Sequence, residues 1–337
     1  MTEECPDPQP AAAEAARPDA EPIAIAASSR HLIALAQRVA ATDCTVLVVG
    51  ESGTGKEVLA RFIHRQSPRA PRAFVAVNCA AIPENMLEAM LFGYERGAFT
   101  GAHASHPGKF EQAQGGTLLL DEVTEMSLPL QAKLLRVLQE REVERLGGRT
   151  AVTLDVRVLA TTNRRLREEV AAGRFREDLY YRLNVFPLAI APLRGRRDDI
   201  LPLAMQLLSA RCSPGAPIPA LSAEAAHVLL TYAWPGNVRE LDNLLQRALI
   251  LVNGPVIRPE HIQFEPLGEA TPTAPAPPAA TSLAGSLDER ERDMILNALR
   301  AGNGSRREAA ETLGISARTL RYKIARLREA GFDVPAA

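Results

Sequence analysis

The sequence predicts an α/β fold that is extended by a helical subdomain and by a separate all-α module. Between residues 23 and 192, short apolar runs alternate with helix-length segments, the pattern of parallel strands covered by helices on both faces. Residues 193–264 carry apolar residues at helical spacing only. A proline- and alanine-rich stretch, residues 265–286, predicts an extended linker before the last module, residues 287–332.

Four apolar runs are candidates for the strands of the α/β part. Each run is short, rich in valine, leucine or threonine, and separated from the next by a helix-length segment. The predicted strands are 45–49, 74–77, 117–120 and 156–160. The predicted helices of the helical subdomain are 200–210, 223–232 and 239–252.

The composition is typical of a globular protein inside the cell. With 337 residues, 46% of them hydrophobic and 23% charged, the chain can bury a sizeable core. Residues 1–22 are acidic and rich in alanine and proline, which predicts disorder and no secretory signal. No run approaches the ~20 apolar residues of a membrane span, so we expect a cytoplasmic protein without a membrane partner. The cysteines form no CxxC pair or zinc-ligand pattern, which favours reduced thiols; they are Cys5, Cys44, Cys79 and Cys212.

The segment TVLVVGESGTGKEVLARFI has the order of a phosphate-binding loop, with a strand, a glycine-rich turn and an amphipathic helix. Glycines let consecutive backbone N–H groups point at phosphates, the helix adds the positive end of its dipole, and Lys56 can reach the β- and γ-phosphates. Glu57 stands where Ser or Thr usually ligates magnesium. A glycine-rich turn in an unrelated α/β protein is the alternative. The predicted nucleotide-binding residues are Gly50, Glu51, Ser52, Gly53, Thr54, Gly55, Lys56 and Glu57.

A second strand, in GGTLLLDE, ends in two carboxylates, Asp121 and Glu122. Asp121 is placed to hold magnesium, directly or through water, and Glu122 to orient or deprotonate the attacking water. Carboxylates after a strand are often only helix caps. Together with the phosphate-binding loop, however, they favour hydrolysis of an adenine nucleotide, with ATP and Mg²⁺ as the predicted cofactors.

These motifs, in this order, resemble those of the sigma-54-dependent transcriptional activators, the NtrC-type bacterial enhancer-binding proteins of the AAA+ ATPases. The resemblance runs from about residue 23 to the C-terminus, and Glu57 is what this family usually has at that position. It implies an AAA+ P-loop αβα sandwich, a helical lid at 193–264, and ATP-driven remodelling of sigma-54 RNA polymerase. The motifs are GESGTGKE (50–57), NCAA (78–81), LFG (91–93), GAFTGA (97–102), GGTLLLDE (115–122), QAKLLRVLQE (131–140), FREDLYYRLNV (175–185) and WPGNVREL (234–241).

The motif GAFTGA places an aromatic side chain between glycines and small residues, which neither bury the ring nor stiffen the backbone. In the family this loop contacts sigma-54, and an exposed aromatic is a usable anchor for a partner surface. The alternative is a loop buried in the chain's own core. Met90 and Tyr94 stand where the family more often has Glu and His. The resemblance implies a sigma-54 contact for Gly97, Ala98, Phe99, Thr100, Gly101 and Ala102, with Phe99 and Thr100 at the tip.

The resemblance assigns three further roles around the nucleotide. Asn78 matches a switch that restrains or releases the catalytic glutamate. Thr162 and Asn163 match the first sensor of the γ-phosphate, and Arg239 matches the second sensor in the lid. Without the resemblance, Asn78 could make a local strand-end hydrogen bond and Arg239 could be a surface residue.

Two arginines in FREDLYYR, Arg176 and Arg182, match the fingers that reach the nucleotide of a neighbouring subunit. A planar guanidinium there stabilises transferring phosphoryl charge. Such fingers imply a homo-oligomer, which is a ring hexamer in this family. The residues alone favour surface pairs with Glu177 and Asp178 instead.

The segment ERDMILNALRAGNGSRREAAETLGISARTLRYKIARLREAG predicts a helix-turn-helix with its turn at Gly314. Between residues 305 and 329, seven basic residues stand against three acidic ones, a local excess of four that the net charge of -1 hides. A solvated helical face is the alternative. The segment resembles a Fis-type domain, which binds double-stranded DNA as a dimer, and RTLRYK resembles flagellar-gene activators. The predicted DNA contacts, at an upstream site, are Arg318, Thr319, Arg321, Tyr322 and Lys323.

Two other classes of protein compete with an activator. One is a DNA-binding repressor that keeps the AAA+ fold, against which the intact GAFTGA and the complete hydrolytic set argue. The other is a replication or repair ATPase, which would not need a loop that contacts sigma-54. Residues 1–22 are fewer than the ~50 of a typical domain. We therefore expect no receiver domain, and control by a separate regulatory protein or by expression level.

Overall fold

The computed structural model describes residues 21–213, 217–264 and the three positions 319, 320 and 323. The chain divides into two compact units, Met1–Glu265 and Pro266–Ala337. The described helices are α1 Ala27–Ala40, α2 Lys56–Arg65, α3 Glu84–Phe92, α4 Lys109–Gln112, α5 Leu128–Glu140, α6 Leu166–Ala171, α7 Glu177–Leu183, α8 Ile200–Arg211, α9 Ala223–Thr231 and α10 Asn237–Leu251. The described strands are β1 Val46–Val49, β2 Phe74–Asn78, β3 Gly93–Tyr94, β4 His106–Pro107, β5 Thr117–Asp121, β6 Glu142–Glu144, β7 Ala151–Thr153, β8 Arg157–Thr162, β9 Phe186–Ala189, β10 Ala220–Leu221 and β11 Val256–Ile257.

The main sheet confirms the predicted α/β class. Over the described residues it has five strands in the order β2-β5-β8-β1-β9, all paired in parallel. Parallel neighbours need crossover connections, which the intervening helices supply. The four predicted strands correspond to β1, β2, β5 and β8, with ends that differ by one or two residues.

The sequence analysis missed one strand of this sheet, β9, which pairs with β1 from Val46 opposite Phe186 to Val49 opposite Ala189. Its sequence FPLA contains Pro187, and a proline weakens the expectation of a strand because it cannot donate to the ladder. β9 is an edge strand, where one side needs no donor. Position in the sheet therefore explains why proline is tolerated.

The sheet separates two hydrophobic clusters. Alternate residues of β5 enter opposite faces, since Leu118 and Leu120 pack with α3, α5 and α7, whereas Leu119 packs with α1 and α2. All three leucines are fully buried. This alternation is the period of a strand covered on both faces, and it gives the αβα layering that the sequence predicts.

The helical subdomain contains α8, α9 and α10, close to the predicted helices. Its core surrounds Trp234, which is 0% exposed and donates its indole N–H to Leu229 O at 2.8 Å. Helix α10 begins at Asn237, two positions before the predicted 239. Because the helix begins at Asn237, its first turn lies beside the phosphate-binding loop.

Much of the predicted C-terminal module lies outside the described residues. Thr319, Leu320 and Lys323 are helical and Leu320 is buried, at positions of the predicted recognition helix. Arg318, Arg321 and Tyr322 lie outside the described residues, as do residues 1–20 and the predicted linker 265–286. Over the part of the chain that is described, no helix has the length and apolar character needed to cross a bilayer.

Candidate functional site

The phosphate-binding loop connects β1 to α2 and depends on two glycines with left-handed backbone. Gly53 has φ +76° and Gly55, the residue before α2, has φ +97°, values that L side chains adopt only with strain. A Cβ on Gly53 would lie 2.3 Å from Gly236 O of the lid. Thr54 donates its hydroxyl to Glu51 O at 2.8 Å and closes the turn. The predicted loop therefore has the required backbone and also touches the lid.

Lys56, the first residue of α2, points into this loop. Its ammonium lies 3.0 Å from Glu122 Oε1 and donates to Gly50 O at 3.1 Å. The side chain is only 7% exposed. A buried ammonium between loop carbonyls and a carboxylate can exchange that carboxylate for a phosphate, which is a stronger acceptor of charge-assisted hydrogen bonds.

Asp121 and Glu122 lie at the carboxyl end of β5, beside the end of β8. Asp121 accepts a hydrogen bond from the Thr161 hydroxyl, and burial is the main cause that raises the pKa of Asp121. Glu122 has φ 56°, an uncommon conformation for a residue other than glycine. Its Oε2 accepts the Asn163 N–H at 2.9 Å, and its own N–H donates to Thr161 Oγ1 at 3.1 Å. β8 therefore orients both carboxylates.

Cys79 follows β2 directly and lies near these carboxylates. Burial, and then the charges of Asp121 and Glu122, raise the pKa of the Cys79 thiol to about 12. The residue is therefore a neutral thiol next to the site at any physiological pH.

The two residues of the predicted first sensor, Thr162 and Asn163, occupy different surroundings. Thr162 is buried, with its hydroxyl 3.2 Å from the Thr124 hydroxyl, whereas Asn163 is exposed and holds Glu122 through its backbone. Asn78 pairs in register with Asp121 across β2 and β5. Its Oδ1 accepts the Ala80 N–H at 2.9 Å, which is the strand-end bond that the sequence left open. Its role as a switch stays a prediction.

The residues present suit a magnesium ion held jointly with phosphates. Over the described residues, no group of three or more His, Cys, Asp or Glu could hold a metal alone. Mg²⁺ usually takes one or two carboxylates and completes its shell with phosphate oxygens and water, which Asp121 can satisfy. Glu57 pairs with Arg61 at 2.7 Å along the surface of α2.

The lid contacts the phosphate-binding loop directly. Arg239 donates to Ser52 Oγ at 3.0 Å, and Val238 N–H donates to Gly53 O at 2.9 Å. This places the predicted second sensor over the loop. The first turn of α10 therefore presents its N–H groups to the loop backbone.

A second set of lid contacts holds the Glu51 side chain. Arg194 donates to Glu51 Oε2 at 2.8 Å and Asn237 donates to it at 3.2 Å. These bonds, Arg194 first, lower the pKa of Glu51. The sequence analysis missed Arg194 and Asn237, because nothing in the pattern links positions more than 140 residues apart.

An apolar cavity of about 90 Å³ lies next to the loop. Thr54, Gly55 and Val58 line it, and the other lining residues come from residues 22–33, from α2, from the position after β9 and from the lid. A mostly apolar slot beside a phosphate-binding turn has the character of a base pocket. The sequence analysis missed it; the other lining residues are Pro22, Ile23, Ser29, Leu32, Ile33, Leu59, Ile190, Arg196, Leu203 and Val238.

Arg182, one of the two predicted arginine fingers, lies apart from Lys56 of its own loop. Arg182 donates to Leu138 O at 2.6 Å and lines a cleft with Thr45 and Val156, which precede β1 and β8. Residues that precede parallel strands lie at the amino end of the sheet, opposite the carboxyl end that carries the phosphate-binding loop. Arg176 pairs with Asp178 at 2.6 Å, as the residues alone favoured.

The GAFTGA loop projects from a short hairpin of β3 and β4. Phe99 is 47% exposed, with its ring centroid 5.0 Å from that of Tyr94, and Thr100 is exposed. Gly97 N–H donates to Ala102 O at 2.9 Å, which closes the neck of the loop. Gly97 and Gly101 have φ +84° and +106°. The tip is therefore not part of the core of this chain.

A second hairpin, of β6 and β7, supports the first. Glu95 N–H donates to Leu146 O at 2.9 Å, and a Cβ on Gly147 would lie 3.0 Å from the Ala98 methyl group. Arg145 forms ion pairs with Glu111 at 2.6 Å and with Glu95 at 3.1 Å. The two hairpins therefore pack as one unit.

Comparison with known families matches three consecutive parts of the chain. Residues 23–189 match the sigma-54 interaction domain, residues 194–278 match the AAA+ ATPase lid domain, and residues 286–327 match bacterial regulatory proteins of the Fis family. The first match favours an activator over a repressor.

Known relatives match this chain over most of its length. The chain is 58% identical to the response regulator protein FleR of Pseudomonas aeruginosa, over 94% of this chain and 72% of FleR. It is 47% identical to the transcriptional regulatory protein FlbD of Caulobacter vibrioides, over 90% of this chain and 70% of FlbD. The crystal structure of NtrX from Brucella abortus in complex with ATP is 32% identical, with a TM-score of 0.66 over 91% of this chain and 69% of that chain. The chain belongs to the sigma-54-dependent transcriptional activators.

Proposed function

We propose that this chain hydrolyses ATP with Mg²⁺ and uses that energy to remodel sigma-54 RNA polymerase from an upstream DNA site. The observation that carries the proposal is the contact of Lys56 with Glu122, beside Asp121, at the carboxyl edge of the sheet. An ammonium, a metal-binding carboxylate and a candidate base are the groups that phosphoryl transfer needs. The relative NtrX, whose crystal structure contains ATP, supports the nucleotide.

ATP would bind with its triphosphate in the loop and its base in the apolar cavity. The backbone N–H groups of residues 50–55 and the start of α2 would hold the phosphates. Lys56 would leave Glu122 for the β- and γ-phosphates, because the triphosphate carries more negative charge than one carboxylate. Arg239 lies beside Ser52 and would then contact phosphate as well.

Hydrolysis would use the carboxylate that Lys56 releases. Asn163 N–H keeps Glu122 Oε2 in place, so Oε1 becomes free to accept a proton from the attacking water. Mg²⁺ held by Asp121 would neutralise charge on the phosphate oxygens. Protonation of Asp121 would compete with the metal, and its raised pKa makes this competition stronger at low pH.

Arg182 would complete the site of a neighbouring subunit. It lies at the edge of the sheet opposite its own loop, so a role in transferring phosphoryl charge requires a second copy. Arg176 would have to release Asp178 to join it. We therefore propose a homo-oligomer, and a ring hexamer as the family resemblance implies.

Coupling to sigma-54 would pass through the paired hairpins. Helix α5 begins shortly after Glu122 and leads into β6, and the second hairpin contacts the first at Leu146. A shift of α5 on hydrolysis would move the loop that carries Phe99 and Thr100. The exposed aromatic tip would contact sigma-54, and the C-terminal module would hold DNA through the basic residues predicted from the sequence.

The test measures ATP hydrolysis and sigma-54-dependent promoter opening side by side for Thr100→Ala. Ser105→Ala, an exposed hydroxyl of the same hairpin outside the motif, is the matched control. We expect Thr100→Ala to keep hydrolysis and lose promoter opening, and Ser105→Ala to keep both. A wild-type protein that hydrolyses ATP but opens no sigma-54 promoter would refute the proposed coupling.

A further inference from the structure

A fully buried carboxylate of the lid holds the segment that leads into α1. Asp199 is 0% exposed. Its Oδ1 accepts the backbone N–H groups of Ile25 and Ala26 at 2.7 Å each, and its Oδ2 accepts the Ser29 hydroxyl. Among the described residues, the cation that pairs with Asp199 is Arg196, 4.0 Å away. Hydrogen bonds, more than a counter-ion, therefore stabilise this buried charge.

The segment held by Asp199 is one wall of the base cavity. Ile23 lines the cavity just before the bonded residues, and Ser29, which is bonded to Asp199, lines it as well. Leu203 and Val238 of the lid form walls as well. Asp199 therefore joins a wall supplied by the N-terminal segment to the lid.

The same turn of the lid also reaches the phosphate-binding loop. Arg196, three positions before Asp199, is buried, lines the cavity and donates to Thr54 O at 2.7 Å. The two side chains have different contacts: Arg196 contacts the loop and Asp199 contacts the N-terminal segment. A change at Asp199 removes a charge 4.0 Å from Arg196, but the bond of Arg196 to Thr54 O does not involve Asp199, so we expect the loop to stay largely intact.

We propose that Asp199 is a positioning residue that sets the affinity of the site for the nucleotide base by holding residues 22–29 against the lid. The inference rests on the proposed nucleotide function and deepens it. Released from Asp199, the wall would move, water would enter the apolar cavity, and the base would bury less surface. The triphosphate would lose nothing, because none of these bonds involves the phosphate-binding turn.

The test compares two ligands that differ by the nucleoside, ATP and inorganic tripolyphosphate, by calorimetric titration of the full chain. Asp199→Asn keeps the size of the side chain and removes its charge, and hydrogen bonds to charged groups are the stronger kind. We expect binding of ATP to weaken about tenfold and binding of tripolyphosphate to stay unchanged. In steady state KM for ATP should rise while kcat stays close to that of the wild type.

Asp198→Asn is the matched control, because this neighbouring carboxylate is exposed and should have no effect on either ligand. Ser29→Ala removes one bond of the set without changing the charge, and Ser29→Thr keeps the hydroxyl. We expect a smaller loss of ATP affinity for the alanine variant and recovery for the threonine variant. If Asp199→Asn does not fold, the two Ser29 variants test whether these contacts set the affinity for ATP.

Equal losses for ATP and tripolyphosphate would overturn the inference, since they would indicate damage to the loop. Unchanged ATP affinity in a folded Asp199→Asn protein would overturn it too. A wild-type protein that binds neither ligand would refute the nucleotide function itself and the inference with it. A wild-type protein that binds ATP but opens no promoter would refute only the coupling to sigma-54.

Discussion

Replacing Glu122 with glutamine should separate ATP binding from ATP hydrolysis. In the structure Glu122 Oε1 lies 3.0 Å from the Lys56 ammonium, and Oε2 accepts the Asn163 N–H at 2.9 Å. Glutamine has the same shape and keeps one oxygen acceptor, so the Asn163 bond can persist. Its amide cannot take a proton from water. In the nucleotide-free chain the variant also loses the ion pair with Lys56, because its amide NH2 group then faces the ammonium.

The size of the effect follows from these contacts. A positioned general base contributes roughly 10²- to 10⁴-fold to the rate, equivalent to about 2.7–5.5 kcal/mol of barrier. The substitution removes the carboxylate that competes with phosphate for Lys56, and Lys56 keeps its bond to Gly50 O at 3.1 Å. The affinity for ATP should therefore not fall. The φ of 56° at this position strains glutamate and glutamine alike, so the loss of stability without nucleotide comes from the broken ion pair with Lys56.

The assay is phosphate release at saturating ATP, with ATP affinity measured separately by calorimetry. Glu125→Gln is the matched control, because this carboxylate lies in the following turn and pairs with Arg164 at 2.7 Å on the surface. We expect kcat to fall at least about 10²-fold for Glu122→Gln and to stay unchanged for Glu125→Gln. If Glu122→Gln hydrolyses ATP at nearly the wild-type rate, Glu122 is not the base and the reasoning fails.

Three further outcomes are expected. Arg182→Ala should abolish hydrolysis, and mixing it with Glu122→Gln should restore part of the activity, because each variant supplies the group that its neighbour lacks; phosphate release of the mixture measures this. The free energy of unfolding should fall as the pH rises from about 9 towards 12, since the pKa of the Cys79 thiol is raised from 9.0 to about 12 and the unfolded chain loses this proton first. Urea denaturation should show a smaller alkaline loss for Cys79→Ala. Trp234→Ala, in the core of the lid, should cost about 3–5 kcal/mol of unfolding free energy, whereas Tyr181→Ala, 66% exposed, should change it by less than about 0.5 kcal/mol.

A specific result would contradict each of these expectations. A mixture of the Arg182 and Glu122 variants that stays inactive would place Arg182 within its own site or outside catalysis. Equal alkaline destabilisation of the wild type and Cys79→Ala would mean that the thiol titrates normally in the folded protein. Equal effects of the tryptophan and tyrosine substitutions on urea denaturation would contradict the described core of the lid.

The main strands could be predicted because each one carries its own signal. The runs around Leu119 and Leu159 are mostly apolar, as is typical of strands buried on both faces, and both lie in the main sheet as β5 and β8. β9 gave no such signal, because Pro187 is acceptable only at the edge of a sheet. Which strand forms the edge depends on the order of the strands, which no local pattern contains.

The phosphate-binding loop could also be predicted, since its glycines, Lys56 and the helix that follows lie next to one another in the chain. The lid residues that close it could not. Arg194 and Asn237 reach Glu51 across 143 and 186 positions, and Asp199 reaches Ile25 across 174. As isolated side chains in the sequence they are indistinguishable from ordinary surface or capping residues.

The sequence by itself determined the α/β class, the phosphate-binding loop, the Asp121–Glu122 pair and the exposed tip at Phe99, because each depends on residues adjacent in the chain or on a short period. Only the tertiary structure decided the edge strand, the apolar cavity beside the loop, the lid contacts to Glu51 and the position of Arg182 away from its own loop. These features depend on which distant segments pack together. Packing brings together side chains whose separation along the chain carries no information about their distance in space.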